Sequence, residues 1–141
     1  MSDEINSPEH YTKGKIETID LIEQRFLDFR LANAVKYLAR AVYKGNEEKD
    51  TKKATWYLTR YLEKTNFKDY LKHRIKCALF SKLSYKKYID LFDKTCPYRC
   101  AISVLCFDLW VRTRRRRIKA VISAISVIYD SRKDRGDKNN D

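Results

Sequence analysis

Glycine and proline are scarce, with three Gly and two Pro in 141 residues. Sandwiches and barrels need Gly, Asn or Pro at short regular intervals to turn their strands, and Rossmann or P-loop sites need clustered Gly so that backbone can approach phosphate. Neither pattern is present. Long apolar runs are missing as well. The two longest, Cys100–Val111 and Ile118–Tyr129, are well short of the ~20 residues that span a bilayer. Histidine is limited to His10 and His73, and no serine sits in a Gly-x-Ser-x-Gly turn, so no hydrolytic triad can be assembled. The opening stretch, Met1 to His10, is polar and acidic, which is unlike a secretory leader and predicts a cytosolic protein. In that compartment the four cysteines are expected as thiols and not as disulfides.

What is present is apolar and basic. Hydrophobic residues make up 43% and aromatics 13%, enough for one compact domain to bury about two thirds of its unfolded surface. The formal charge is +12. Residues 1–65 hold 12 Lys and Arg against 11 Asp and Glu, while residues 66–141 hold 19 against 8, so nearly all of the excess belongs to the second half. The two halves are expected to meet different partners.

Apolar spacing predicts an all-α protein, a compact helical bundle of about five to seven helices with a basic C-terminal half. Ile16, Ile19, Ile22, Phe26 and Phe29 recur every three or four positions and predict a first helix over 16–29, with Gly14 as a turn before it. Leu31, Val35, Leu38 and Val42 predict a second over 31–44, ended by Gly45-Asn46. A third is expected from about Lys49 to Lys64 behind the acidic entry Glu47, Glu48 and Asp50. Asn66 with Asp69 reads as a capping pair for a fourth over 67–83, and Ser84 as the cap of a fifth over 85–94. From Tyr98 to Tyr129 the pattern permits two packed helices or one long helix, and the β-branched residues leave a strand pair open. The organisation expected is a helical unit over 1–65, a basic helical extension over 66–130 packed on it, and a disordered tail over 131–141.

One series stands out: Ser7-Pro8-Glu9-His10-Tyr11, Ile16-Glu17-Thr18-Ile19-Asp20, Ala32 through Ala41, Lys44-Gly45-Asn46, Asp50, and Lys52-Lys53-Ala54-Thr55-Trp56-Tyr57-Leu58. In order and spacing it resembles the SaV-like group of small bacteriophage proteins, catalogued as a domain of unknown function. The resemblance covers roughly residues 5 to 63. Lys15 departs from it, where a second small residue is expected, and so does Thr51, where an apolar one is usual. The group includes an early coliphage nucleotide kinase that acts on deoxynucleoside monophosphates and lacks the usual ATP-binding motifs. The resemblance therefore implies a phage protein working in the cytoplasm of the infected bacterial host on a nucleotide, with ATP and magnesium as the cofactors.

The residues themselves supply a plausible anion site. Lys36, Arg40 and Lys44 rise along one side of the second helix with Asn33 and Tyr37 beside them, and Lys53 joins the set from the third. Phosphate is held by such fixed donors. Glu17 and Asp20, three apart, are the candidate catalytic carboxylates for a hydrated magnesium ion. His10 and Tyr11 can stack on or hydrogen-bond a base. The same residues also suit solvated helix faces and interhelix salt bridges, with His10-Tyr11 pinning the amino-terminal stretch to the core.

In the basic half, Arg112, Arg114, Arg115, Arg116, Arg117 and Lys119, with lysines upstream and with Tyr70, Tyr85, Tyr88 and Trp110 for stacking, suit nucleic acid or an acidic host protein. Such a partner would fit a small phage protein that inhibits host defence. His73-x3-Cys77 and Cys96-x3-Cys100 have a spacing compatible with zinc, with Cys106 as a substitute, although buried free thiols are the expectation. The oligomeric state stays open, a homo-oligomer included.

Overall fold

The structure, a computed structural model, describes residue 5 and residues 8–107 and 113–137. Among these are seven α-helices and no strand: α1 (Thr18–Gln24), α2 (Phe29–Arg40), α3 (Glu47–Lys64), α4 (Phe67–Phe80), α5 (Tyr85–Leu91), α6 (Arg99–Phe107) and α7 (Arg114–Asp137), preceded by a 3-10 turn at Glu9–Tyr11. The protein is all-α. The antiparallel pair α2 and α3 forms the centre, α1 and the 3-10 turn pack on α2, and α6 and α7 close the other side. Leu21, Leu38, Leu58, Ile102, Ile118 and Ile125 meet in the common core, each essentially inaccessible. Among the described residues no helix is long and apolar enough to cross a membrane.

Local signals set several boundaries as the sequence suggests. Asn66 and Asp69 form a reciprocal capping box at the start of α4, and the Ser84 hydroxyl accepts from the Lys87 amide to open α5. Gly45 takes φ 70° in the turn after α2, where a side chain would be strained.

Other boundaries move. The helix predicted over 16–29 divides, because Phe26 adopts φ 50° and the Asp28 carboxylate accepts from the Leu31 amide at 2.9 Å, capping α2. A left-handed non-glycine residue costs about 1–2 kcal/mol, and the packing of its neighbours, buried Arg25 and core-packed Leu27, offsets that cost. Gly14 is less a turn than a close approach: a Cβ there would lie 2.5 Å from the Asp93 nitrogen and 2.8 Å from the Leu91 oxygen. The Leu91 carbonyl also accepts from the amides of Lys15 and Ile16, so the amino-terminal stretch is docked against the end of α5.

In the second half α6 and α7 are helices, which removes the strand-pair alternative for the described residues. α7 also continues through Asp137, where a disordered tail was expected from Ser131. A tertiary contact anchors the start of this segment: Arg132 Nε donates to Glu47 Oε1 at 2.8 Å, an oxygen that also accepts from the Tyr98 hydroxyl at 2.6 Å.

Candidate functional site

The second and third helices bring most of the predicted anion-binding residues together. Tyr37, on α2, is ringed by cations: Arg40 Cζ lies 4.7 Å, Lys36 Nζ 5.0 Å and Lys53 Nζ 5.2 Å from its ring centroid. The Tyr37 ring stacks on Tyr57 at 6.0 Å, and Tyr57 in turn meets Phe29 and Trp56. Trp56 and Phe29 are themselves exposed.

Arg40 is the most committed member. Its guanidinium grips Asp50 at both oxygens, Nε to Oδ2 at 2.9 Å and Nη2 to Oδ1 at 3.1 Å, and Nη1 donates to the Tyr11 hydroxyl at 2.9 Å. Only 13% of the Arg40 side chain and 5% of that of Asp50 are exposed. Arg40 thus ties the 3-10 turn to the α2–α3 pair. Asp50, which the sequence presents as part of an acidic helix entry, is a buried counterion. Nothing in its local spacing marks it; only the turn at Gly45-Asn46 brings it back beside Arg40.

Tyr11 opens onto a cleft of about 260 Å³ lined by Ile5, Pro8, Glu17, Thr18, Ile19, Ile22 and Lys36 besides Tyr11 itself. Its wall is apolar, and its polar groups are one phenol, one threonine hydroxyl, one carboxylate and one ammonium. Burial pushes the Tyr11 hydroxyl above its ordinary pKa, although the Arg40 hydrogen bond pulls the other way; it therefore stays protonated and able to donate. Burial also lowers Lys36, with Arg40 acting in the same direction. His10, beside Tyr11 at 4.3 Å between ring centroids, is lowered first by burial and then by Lys44 and Arg40. An anion placed among Lys36, Arg40 and Lys44 would relieve that crowding of positive charge.

Three predicted members, Asn33, Asp20 and Lys44, do not line the cleft. Asn33 turns its amide onto the Phe29 carbonyl at 2.8 Å. Asp20 is exposed and does not line the cleft. Glu17 precedes α1 as its N-cap residue in extended conformation, so the two carboxylates do not share one helical face. Lys44 is exposed on the turn after α2.

The arginine run divides in two. Arg114 is buried and its Nη2 donates to the Leu105 carbonyl at 3.0 Å, while Arg115 donates from Nη1 to the Leu62 carbonyl. Both satisfy main-chain oxygens near the ends of α6 and α3, which a helix terminus leaves without intrahelical donors. Among the described residues of the run only Arg114 is buried; Arg115, Arg116, Arg117 and Lys119 are exposed. Arg112 and Trp110 lie outside the described residues.

The zinc candidates do not converge. His73 Nε2 and Cys77 Sγ are 3.3 Å apart, both directed at the Arg25 carbonyl, but Cys96 faces the Leu38 carbonyl and Cys100 is exposed. Among the described residues no three His, Cys, Asp or Glu side chains are grouped to hold a metal ion. The Arg25 side chain is a further feature that sequence reading missed. It is buried, donating to Cys106 O, Ser81 Oγ and Leu83 O and stacking 4.4 Å from the Phe107 centroid.

Compared with known proteins, the chain matches the model of a family described as a protein of unknown function (DUF3310) over residues 5–59. No curated protein and no solved structure matches it. The matched span contains the whole cleft, the Arg40–Asp50 pair and the Tyr37 cation cluster, and stops before α4.

Proposed function

We propose that the amino-terminal unit binds a nucleotide at the Tyr11–Glu17–Lys36 cleft, and that the protein is a kinase-like phage enzyme acting on deoxynucleoside monophosphates. The carrying observation is that one apolar-walled cleft gathers a protonated phenol, a carboxylate and an ammonium beside further cations. Ile19, Ile22 and Pro8 offer the flat apolar contact that a base requires. The Tyr11 hydroxyl, whose oxygen accepts from Arg40, keeps its own proton for the ligand. Lys36 holds phosphate, with Lys53 and Lys44 as outer cations and neutral His10 nearby. Arg40 acts as a positioning residue, because its donors are taken by Asp50 and Tyr11. Glu17 would give one carboxylate to a magnesium ion whose other ligands are waters and phosphate oxygens, a mode that suits this cation; magnesium would supply charge neutralisation at the transferred phosphoryl group.

The test is thermal stabilisation of the purified protein by deoxynucleoside monophosphates and by ATP, with and without magnesium, followed by a phosphate-transfer assay. Lys36→Ala should weaken nucleotide binding by about 1.5–3 kcal/mol, the worth of a charge-assisted contact, with the melting temperature of the free protein nearly unchanged. Absence of any nucleotide effect would sink this reading. The second reading, binding of nucleic acid or an acidic host protein by the basic half, retains the outward Arg116, Arg117 and Lys119 as support. Steep salt dependence of nucleic-acid binding, lost in the triple Gln variant at those positions, is its signature.

A further inference from the structure

Helix α4 is apolar on two faces, and among the described residues only one of them is covered. Its inner face carries Tyr70, whose ring meets Tyr61 at 5.8 Å, and His73 and Cys77, which bond the Arg25 carbonyl. Its outer side carries Phe67, Leu71, Ile75 and Leu79, each one turn beyond the last, with Phe80 at the end; these are 39% to 70% exposed. Successive members four residues apart drift by about 40°, so they make a continuous stripe on a helix about 21 Å long. Lys68, Lys72 and Lys76 run beside the stripe at the same spacing, and all three are exposed. Between Lys64 and Lys87 there are eight Lys and Arg against the single acid Asp69, and every one of those eight cations is exposed. None of this lies in the span matched by the family model.

We propose that this stripe is a membrane-surface site: α4 lies in the interface of an anionic bilayer, with Phe67, Leu71, Ile75, Leu79 and Phe80 among the acyl chains and the lysines at the phosphates. Three observations select that occupant. The stripe is a convex ridge, which a fluid surface accepts without a preformed groove. The cations are spread over two helices and their connection, which suits the distributed charge of a lipid leaflet. A second copy of the chain fits poorly, since pairing two such stripes would set Lys68, Lys72 and Lys76 of each against their counterparts. Long lysine side chains can keep their ammonium groups at the headgroups while their stems lie along apolar surface, the arrangement of interfacial amphipathic helices.

The experiment is co-sedimentation of the full chain with vesicles of phosphatidylcholine alone and of phosphatidylcholine with one third phosphatidylglycerol. The expected result is binding to the anionic vesicles only, falling as potassium chloride is raised. Leu71→Ser with Leu79→Ser should weaken it roughly tenfold for each side chain. Lys68→Gln, Lys72→Gln and Lys76→Gln together should weaken it about 100-fold. Helicity by circular dichroism should be unchanged in both, since the substituted side chains are exposed. No binding to anionic vesicles at low salt overturns the proposal, as does binding that the serine variant retains in full. If the wild-type protein is a dimer by light scattering that the serine variant dissociates, the stripe is an interface between copies and the proposal is likewise overturned.

Discussion

Replacing Asp50 by Asn tests whether Arg40 is a structural tie or a free phosphate ligand. In the native protein the pair is bidentate, at 2.9 and 3.1 Å, and nearly inaccessible. Removing one partner of a buried pair strands the other charge and costs about 3–5 kcal/mol. Asn retains one acceptor oxygen, and Arg40 keeps its bond to Tyr11 and its contact with Tyr37, so about 3 kcal/mol is expected. That is a large share of the total stability of a domain, about 5–15 kcal/mol. For a chain of this size it corresponds to a fall in melting temperature of about 10 °C. Denaturant unfolding followed by circular dichroism gives the same quantity independently.

The double variant Arg40→Met with Asp50→Leu should recover most of the loss, because an apolar pair of similar volume avoids the stranded charge. A drop of less than ~2 °C for Asp50→Asn, within the range of an ordinary surface change, would refute the reasoning, and so would a double variant no more stable than the single. The result also bears on nucleotide binding: Arg40→Ala is expected to lower both stability and affinity, whereas Lys36→Ala lowers affinity alone.

Gly14→Ala should destabilise by about 1–3 kcal/mol, the cost of overpacking, because the added carbon meets the main chain of Leu91 and Asp93; a neutral result by thermal melting would show that this docking is loose. Of the four thiols, only exposed Cys100 should react promptly with a disulfide reagent at pH 8, since burial raises Cys77 and pushes Cys96 and Cys106 up to about 12; fast reaction of two or more in native protein would contradict this packing. Burial holds the His73 imidazole below its ordinary value, partly opposed by its bond to the Arg25 carbonyl. The unfolded state therefore takes up the proton first as pH falls, and stability present above about pH 6.5 is lost below it. Denaturant midpoints between pH 7.5 and 5 should fall more steeply for the native protein than for His73→Gln, and equal slopes would remove His73 as the cause.

What was legible in the sequence was mostly local. The Asn66–Asp69 box and the Ser84 cap are short-range hydrogen bonds between neighbours in the chain, so residue type and spacing suffice to predict them. The convergence of Lys36, Tyr37, Arg40 and Lys53 was also foreseeable, since it follows from helical spacing and one short turn. The break between α1 and α2 was hidden, because Phe26 takes a backbone conformation that its own chemistry disfavours and only tertiary packing explains. The roles of Asp50 and Glu47 were hidden for a related reason. Each sits at an acidic helix entry, where a carboxylate has a sufficient local purpose; Tyr98 and Arg132, the partners of Glu47, are also remote in sequence, whereas Arg40 lies across the short turn from Asp50.

Charge taught the larger lesson, because arginine and lysine occupy different places in this molecule. A run such as Arg114 to Arg117 invites a surface reading, yet Arg114 joins Arg25 and Arg40 among side chains that the fold has taken inside or nearly so. Each of the three uses directional donors to reach oxygens fixed by the backbone or by Asp50. A planar guanidinium supplies several donors in a rigid fork, which a single ammonium cannot reproduce. The exposed surplus of the second half lies more in lysines, mostly on α4, on α5 and in the turn between them, than in arginines, of which Arg74, Arg115, Arg116, Arg117 and Arg135 are exposed. Lysine is a strongly hydrated point charge on a flexible stem, so these side chains offer attraction without geometric readout. A surface of that kind discriminates partners by their density of negative charge and by what the apolar stripe between the lysines can enter.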